Sequence, residues 1–332
     1  MPPRRSHPRL PRLALALAGA SLLAGGVAAC ADDPSLGADT AAVIGGEPTA
    51  PGEFPGVGAL VIEFGGQTMA GCTGTLIAPD AVLTAAHCID PVLSGGVVPG
   101  FTLAVDTTTG NFATVPGASV HPHESFTFDV EITEGLGTFY DIGVLRLAQP
   151  ITEVAPVSLP RADQTAALTV DLELDIVGYG RTSNDTDDIG VLHDARTRLI
   201  SLNATELQVG MGLPQPQNCH GDSGGPALAD LGDGQRRTVG VVSRSFAGSE
   251  CTQGGVHTRV DAYLSWIHGQ VPTGIPCGSG LAEPCDEPDP EDPDTGGGCC
   301  STGDGRGPAG ASAALLALAV AAPLLRRRRR TC

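Results

Sequence analysis

Between about residue 56 and residue 271 the apolar residues come in short runs, each closed by a turn signal. The clearest are Val57–Phe64, Thr75–Ile77, Ala81–Thr84, Phe101–Val105, Asp141–Leu147, Leu168–Val177, Thr238–Val242 and Gly255–Val260. Runs of this length suit strands and are short for helices. The 46 Gly and 27 Pro supply turns and work against long helices. The expectation is an all-β domain, a barrel or a sandwich. One element departs from the pattern. Asp261 can cap a helix that carries Leu264, Trp266 and Ile267 on neighbouring turns, so the domain is expected to close on a helix.

The flanks read differently. Residues 1–29 begin with Arg4, Arg5, Arg9 and Arg12, followed by an apolar stretch from Leu13 to Leu23 and then small residues. That is the pattern of a signal peptide. It ends Val27-Ala28-Ala29-Cys30, which resembles a bacterial lipobox with Cys30 as the lipidated residue; ordinary cleavage after a small residue is the alternative. Residues 30–42 read as a pro-segment. Residues 272–302 form an acidic stalk rich in Pro and Gly, with no means of packing a core, and Cys277 and Cys285 are expected to close a small loop there. Residues 303–332 hold an apolar segment, 308–325, followed by Arg326 to Arg330. The segment is near the minimum of about 17 residues for a membrane span, and the arginines mark a cytoplasmic flank.

Charge narrows the partners. The net charge is −18, and all 19 basic residues are arginine. Nine of them sit in the two terminal clusters, so the middle of the chain is more acidic still. Phosphate backbones need a basic face, so nucleic acid is excluded as a partner. Of the ten cysteines none forms a CxxC pair, and no Cys/His cluster has zinc-site spacing. No cofactor and no metal are expected. Beside an export signal, disulfides are the better reading.

The chemistry centres on Gly221-Asp222-Ser223-Gly224-Gly225-Pro226. Glycines permit positive φ and close backbone approach, so successive N–H groups can converge beside the serine hydroxyl. A serine is a weak nucleophile at its own pKa and needs an adjacent base. Of the eight histidines His87 stands out, in Leu83-Thr84-Ala85-Ala86-His87-Cys88. The base needs an acid to hold its tautomer. Asp141, in Tyr140-Asp141-Ile142-Gly143-Val144-Leu145, lies just ahead of an apolar run, where it can be buried and rigid.

Together with Val43-Ile44-Gly45-Gly46 and the Trp266 helix, these motifs stand in the order of the trypsin/chymotrypsin-like serine proteases. The chain resembles that family from Val43 to about Val271, that is, over the expected domain 43–271. The resemblance implies two six-stranded antiparallel β-barrels with a C-terminal helix and the site between the barrels. It implies His87 as general acid/base, Asp141 as its orienter and Ser223 as nucleophile, with the N–H groups of Gly221 and Ser223 as oxyanion hole. Ser243 matches the serine that hydrogen-bonds the aspartate. The resemblance selects the disulfides Cys72–Cys88 and Cys219–Cys251. Val43 matches an N-terminus created by activation, whose ammonium would pair with Asp222; leaving such a buried carboxylate unpaired costs roughly 3–5 kcal/mol. Cleavage is therefore expected between Ala42 and Val43. Ala42 is not basic, which argues against a trypsin-like activator.

Specificity departs from trypsins. Gln217 stands at the pocket-floor position that is acidic there, with small residues Ser245 and Gly255 at wall positions. Arg244 replaces the aromatic usual after Ser243, His220 precedes Gly221, and His257 lies near the floor. The tail resembles a myxobacterial surface-sorting signal, cut and lipidated near Cys299 or Cys300; a Gly-Gly type or retention as a membrane span are the alternatives. The expected protein is an exported, surface-anchored serine endopeptidase made as a zymogen. Its expected partners are protein or peptide substrates, an activating protease, and sorting and lipidation machinery, with membrane contact through the tail. The competing reading is a catalytically silent homologue acting as a surface binding module.

Overall fold

The computed structural model describes residues 43–282 apart from 65–66, 128–133, 187, 213 and 249. The expected signal peptide and pro-segment, the stalk from 283 onward and the C-terminal tail lie outside the described residues. So do Cys30, Cys299 and Cys300.

The described chain is mostly strand, in chain order β1 (Glu47–Pro48), β2 (Val57–Phe64), β3 (Gln67–Ala78), β4 (Ala81–Thr84), β5 (Gly100–Thr102), β6 (Gly117–Pro122), β7 (Gly143–Leu147), β8 (Glu173–Gly178), β9 (His193–Leu202), β10 (Glu206–Val209), β11 (Pro226–Asp230), β12 (Arg236–Ser245) and β13 (Gly255–Arg259). Two short α-helices accompany them, α1 (Ala86–Ile89) after β4 and α2 (Leu264–Gln270) after β13.

The first sheet is antiparallel in the order β5-β2-β3-β4-β7-β6. It curls until its two edges meet. Phe101 of β5 and Val115, just ahead of β6, exchange both backbone hydrogen bonds, at 2.9 and 2.8 Å. Leu60, Leu76, Val82, Phe101 and Leu145 fill its interior. The second sheet closes fully, because β8 pairs with both β11 and β9; β1 adds a seventh strand on β9. Leu174, Ile176, Leu199, Leu207, Val209 and Val239 fill this barrel. Along β9 the side chains alternate: His193, Ala195, Thr197 and Leu199 are buried, whereas Arg196 and Arg198 are exposed, as a pleat with one dry face requires.

Apolar layers weld the barrels together. Ile77, Leu83 and Val144 of the first pack on Val241 of the second and on Leu264 and Ile267 of α2. Val57 and Val61 pack on Val177, Tyr179 and Leu228. Each fully buried aliphatic side chain of this size contributes about 1.5–3 kcal/mol. The site therefore sits on a rigid seam.

Two expectations need correction. Asp261 does not cap the terminal helix through its side chain. Its carboxylate takes the Arg259 guanidinium, 2.7 Å away, and a 3-10 turn, Asp261–Tyr263, leads into α2. Residues 272–282, assigned to the stalk by composition, lie on the globular unit: Ser279 is fully buried and its hydroxyl accepts the Leu159 N–H at 2.6 Å. Cys277 is disulfide-bonded; Cys285, its expected partner, lies outside the described residues. Among the described residues no helix is long and apolar enough to cross a membrane.

Candidate active site

His87 stands on the single turn of α1, where the chain leaves β4. Asp141 lies just ahead of β7, the neighbour of β4. Both therefore come from the first barrel, while Ser223 sits on the turn that enters β11 of the second. His87 Nδ1 and Asp141 Oδ2 are 2.8 Å apart. Asp141 Oδ1 accepts the His87 backbone N–H at 3.0 Å, and Ser243 donates its hydroxyl to Oδ2 at 2.6 Å. Thr258 donates to the Asp141 carbonyl at 2.8 Å. The aspartate is thus held from both barrels.

This bonding sets the charge. Burial works against the Asp141 carboxylate, but the His87 charge and the hydrogen bonds from His87 and Ser243 outweigh it and hold the carboxyl below its ordinary range. For His87, burial alone would lower the pKa; the Asp141 charge and hydrogen bond reverse that and leave it above the ordinary histidine value.

Ser223 faces the same cavity as His87, a cleft of about 580 Å³. Its carbonyl accepts the Thr73 N–H at 2.8 Å, and Gly224 donates to Val242 at 2.8 Å, so the turn is fixed to both barrels. Two of its glycines have physical cause. Gly221 lies at φ 97°, and a Cβ there would come within 2.7 Å of the Gly180 Cα. Gly224 lies at φ 82°, and a Cβ there would come within 2.0 Å of the Thr84 hydroxyl. No other residue fits either place.

Asp222, between them, is fully buried. It accepts the N–H groups of Gly180 and Cys219, each at 2.8 Å, yet burial pushes its carboxyl up to about 7. Val43 is likewise fully buried, at φ 60°, a strained conformation for a β-branched residue. Its neighbour Ile44 accepts the Gln217 N–H at 3.1 Å.

Both disulfides implied by the resemblance are present, Cys72–Cys88 and Cys219–Cys251. Two Cys/His groupings, Cys72–His87–Cys88 and Cys219–His220–Cys251, have metal-like spacing. Their sulfurs are bonded to each other, so no thiolate is offered to a metal.

The specificity residues fall unevenly. Asn218, Cys219, His220, Ser243, Arg244 and Ser245 line the cleft. Gln217 is buried and its amide is engaged within the protein: Nε2 donates to the Cys251 carbonyl and Oε1 accepts the Gly254 N–H at 2.5 Å. Gly255 is buried behind Asn218; a Cβ there would lie 3.6 Å from the Asn218 Cβ. His257 is fully buried, pushed down to about 3 by burial, with its Nε2 2.8 Å from Asn218 Oδ1. It is therefore neutral and packs beneath the pocket. Phe126, Phe139 and Asn218, which also line the cleft, carried no signal in the sequence.

A buried Asp–His pair beside a serine on a tight Gly-rich turn defines a serine hydrolase of the two-barrel type. A family model described as Trypsin matches residues 43–267. Chymotrypsin-like elastase family member 1 of Bos taurus is 30% identical over 247 residues, covering 70% of this chain and 90% of that protein. Trypsin of Saccharopolyspora erythraea is 30% identical over 245 residues, covering 70% of this chain and 99% of that protein. The chain belongs to the trypsin family and is a serine endopeptidase.

Proposed function

We propose that this endopeptidase is exported, is made as an inactive precursor, and hydrolyses peptide bonds through an acyl-enzyme on Ser223. The observation that carries the chemistry is the hydrogen-bonded sequence Ser243–Asp141–His87 opening into the cleft that Ser223 shares. Ser223 Oγ attacks the scissile carbonyl while His87 Nε2 takes its proton. Asp141 keeps the other ring nitrogen protonated and stabilises the imidazolium. The N–H groups of Gly221 and Ser223 receive the oxyanion; one such donor is worth on the order of 3–4 kcal/mol. His87 returns the proton to the departing amine, and water then repeats the sequence on the acyl-enzyme.

Activation is cleavage between Ala42 and Val43. Two observations support it. Asp222 is a buried carboxylate fed only by neutral amide donors among its described hydrogen bonds, so an ammonium would find a waiting partner. Val43 is strained at φ 60°, and a residue that becomes an N-terminus has no φ to strain. After cleavage the N-terminal Cys30 lipid, if added, is lost with the pro-segment, whereas a C-terminal anchor near Cys299 or Cys300 remains. That tail holds the protease at the cell surface.

A fluorophosphonate probe tests the chemistry. Labelling of the processed protein, abolished by Ser223→Ala, is expected, together with an N-terminus at Val43. An unlabelled processed protein leaves the silent binding module as the surviving reading. A different N-terminus on active protein overturns the activation step. Full-length protein free in culture fluid, with its tail intact and without lipid, overturns the anchoring.

A further inference from the structure

Arg244 lies one residue beyond Ser243, in the wall of the cleft, where a free guanidinium would attract acidic substrate side chains. It is not free. Nη1 and Nη2 bind the two carboxylate oxygens of Glu206 on β10, at 2.8 and 2.9 Å, and Nη2 also donates to the Gly135 carbonyl at 2.9 Å. The guanidinium lies over the Phe139 ring, 3.9 Å from its centroid. Glu206 is buried, and accepts the Gly137 N–H at 2.6 Å as well. Gly137 is further held through its carbonyl by Asn203 and Thr205. The residues ahead of Asp141, which belong to the first barrel, are thereby fastened to β10 and β12 of the second.

We infer that Glu206 and Phe139 turn Arg244 from an anion-binding group into a neutral, flat wall of the substrate cleft, so that the enzyme prefers apolar or aromatic substrate side chains there and rejects acidic ones. The inference rests on the proposed endopeptidase chemistry and deepens it. Three observations converge. Arg244 and Phe139 both line the cleft with Phe126, so two aromatic rings and a guanidinium are among the groups presented to substrate. A bidentate carboxylate uses the edge of the guanidinium that would otherwise read an acid, and cancels its charge. The remaining face of a planar, weakly hydrated guanidinium stacks well on flat groups. Arg244 and Glu206 are thus specificity-determining and positioning residues that touch no bond being broken.

The test is a peptide library scanned at each position with Glu, Gln, Leu and Phe, cleaved by the processed full chain and by Glu206→Gln. Wild type is expected to favour Phe or Leu over Glu at the one position that meets the wall, the position at which Glu206→Gln changes the preference. Glu206→Gln leaves Arg244 with an uncompensated charge. At that one position the Glu/Gln ratio of kcat/KM should rise about tenfold, a shift that fades with salt because it is Coulombic. A merely structural role would lower all substrates together and leave the ratio alone. A wild type that favours Glu at the position where Glu206→Gln shifts the ratio overturns the inference, as does a ratio unchanged at every position in a folded Glu206→Gln. The fluorophosphonate label on Ser223 separates the two levels. If wild type labels but shows no such selectivity, only this inference falls; if it does not label, both fall.

Discussion

The buried carboxylate of Asp222 makes a quantitative prediction about the precursor. Moving its carboxyl from 3.8 in the unfolded chain to about 7 in the folded one corresponds to about 4 kcal/mol. The sign follows from which state holds the proton. Between pH 4 and pH 7 the folded protein keeps a proton that the unfolded chain has released, so stability falls as pH rises through that window. Freeing the Val43 ammonium supplies the missing positive charge and should abolish the fall. The measurement uses Ser223→Ala protein, which cannot process itself, in two forms: full-length with the 42–43 bond intact, and processed to begin at Val43. Urea unfolding can be followed by Trp266, the only tryptophan. Each form is compared with the same protein carrying Asp222→Asn, so that every other titrating group cancels. In the precursor, the stability of the Asp222 protein relative to its Asp222→Asn variant should drop by about 4 kcal/mol from pH 4 to pH 7. In the processed form it should hold or grow. Identical pH dependence in the two forms would refute the latch, whatever the activity of either.

Two further predictions test the neighbouring groups. The acid limb of kcat/KM should have its midpoint above 6.5, because a neutral His87 is needed as base and Asp141 raises its pKa; Asp141→Asn leaves burial as the dominant influence, and the limb of its residual activity should move below 6.5. Replacing both Cys219 and Cys251 by alanine opens a loop of 32 residues, which should cost about 3–4 kcal/mol in urea unfolding and raise KM more than it lowers kcat, because the Cys251 backbone holds Gln217; a loss confined to kcat would count against that reading.

What the sequence reveals and what it hides divides along chain distance. The triad motifs are local: a glycine beside a serine, a histidine at the end of an apolar run, an acid at the start of one. Each declares its backbone within a few residues. Strands with two dry neighbours show as apolar runs, as β4 and β7 do. β9 does not, because Asp194, Arg196 and Arg198 alternate outward between its buried residues. β6, with Gly117, Ser119, His121 and Pro122, hides for a different reason: none of its residues is buried, so it carries no apolar run. Partnerships across the fold leave no local trace. The carboxylate that neutralises Arg244 is 38 residues away, and the carbonyl that engages the Gln217 amide is 34 residues away. Composition misplaced residues 272–282 because scattered contacts, not an apolar run, dock them: the buried Ser279 hydroxyl, Ile275 against the core and the Gly278 carbonyl on Arg237.

The same long-range contacts would tie the proposed activation to specificity. Ile44 accepts the Gln217 N–H. Gln217 in turn bonds Cys251, which is joined by its disulfide to Cys219. The Cys219 N–H returns to Asp222, whose own backbone N–H donates to the Cys219 carbonyl at 3.0 Å. Ile44, the pocket wall and the Ser223 turn are therefore linked by one continuous run of contacts. If activation frees the Val43 ammonium as proposed, the new charge pair would act on this run of contacts with the roughly 3–5 kcal/mol that a buried ion pair governs. Pocket and nucleophile turn would then become competent in the same step. On that proposal the precursor would need no separate lid over the cleft, because an unpaired Asp222 would itself oppose the arrangement that the processed form adopts.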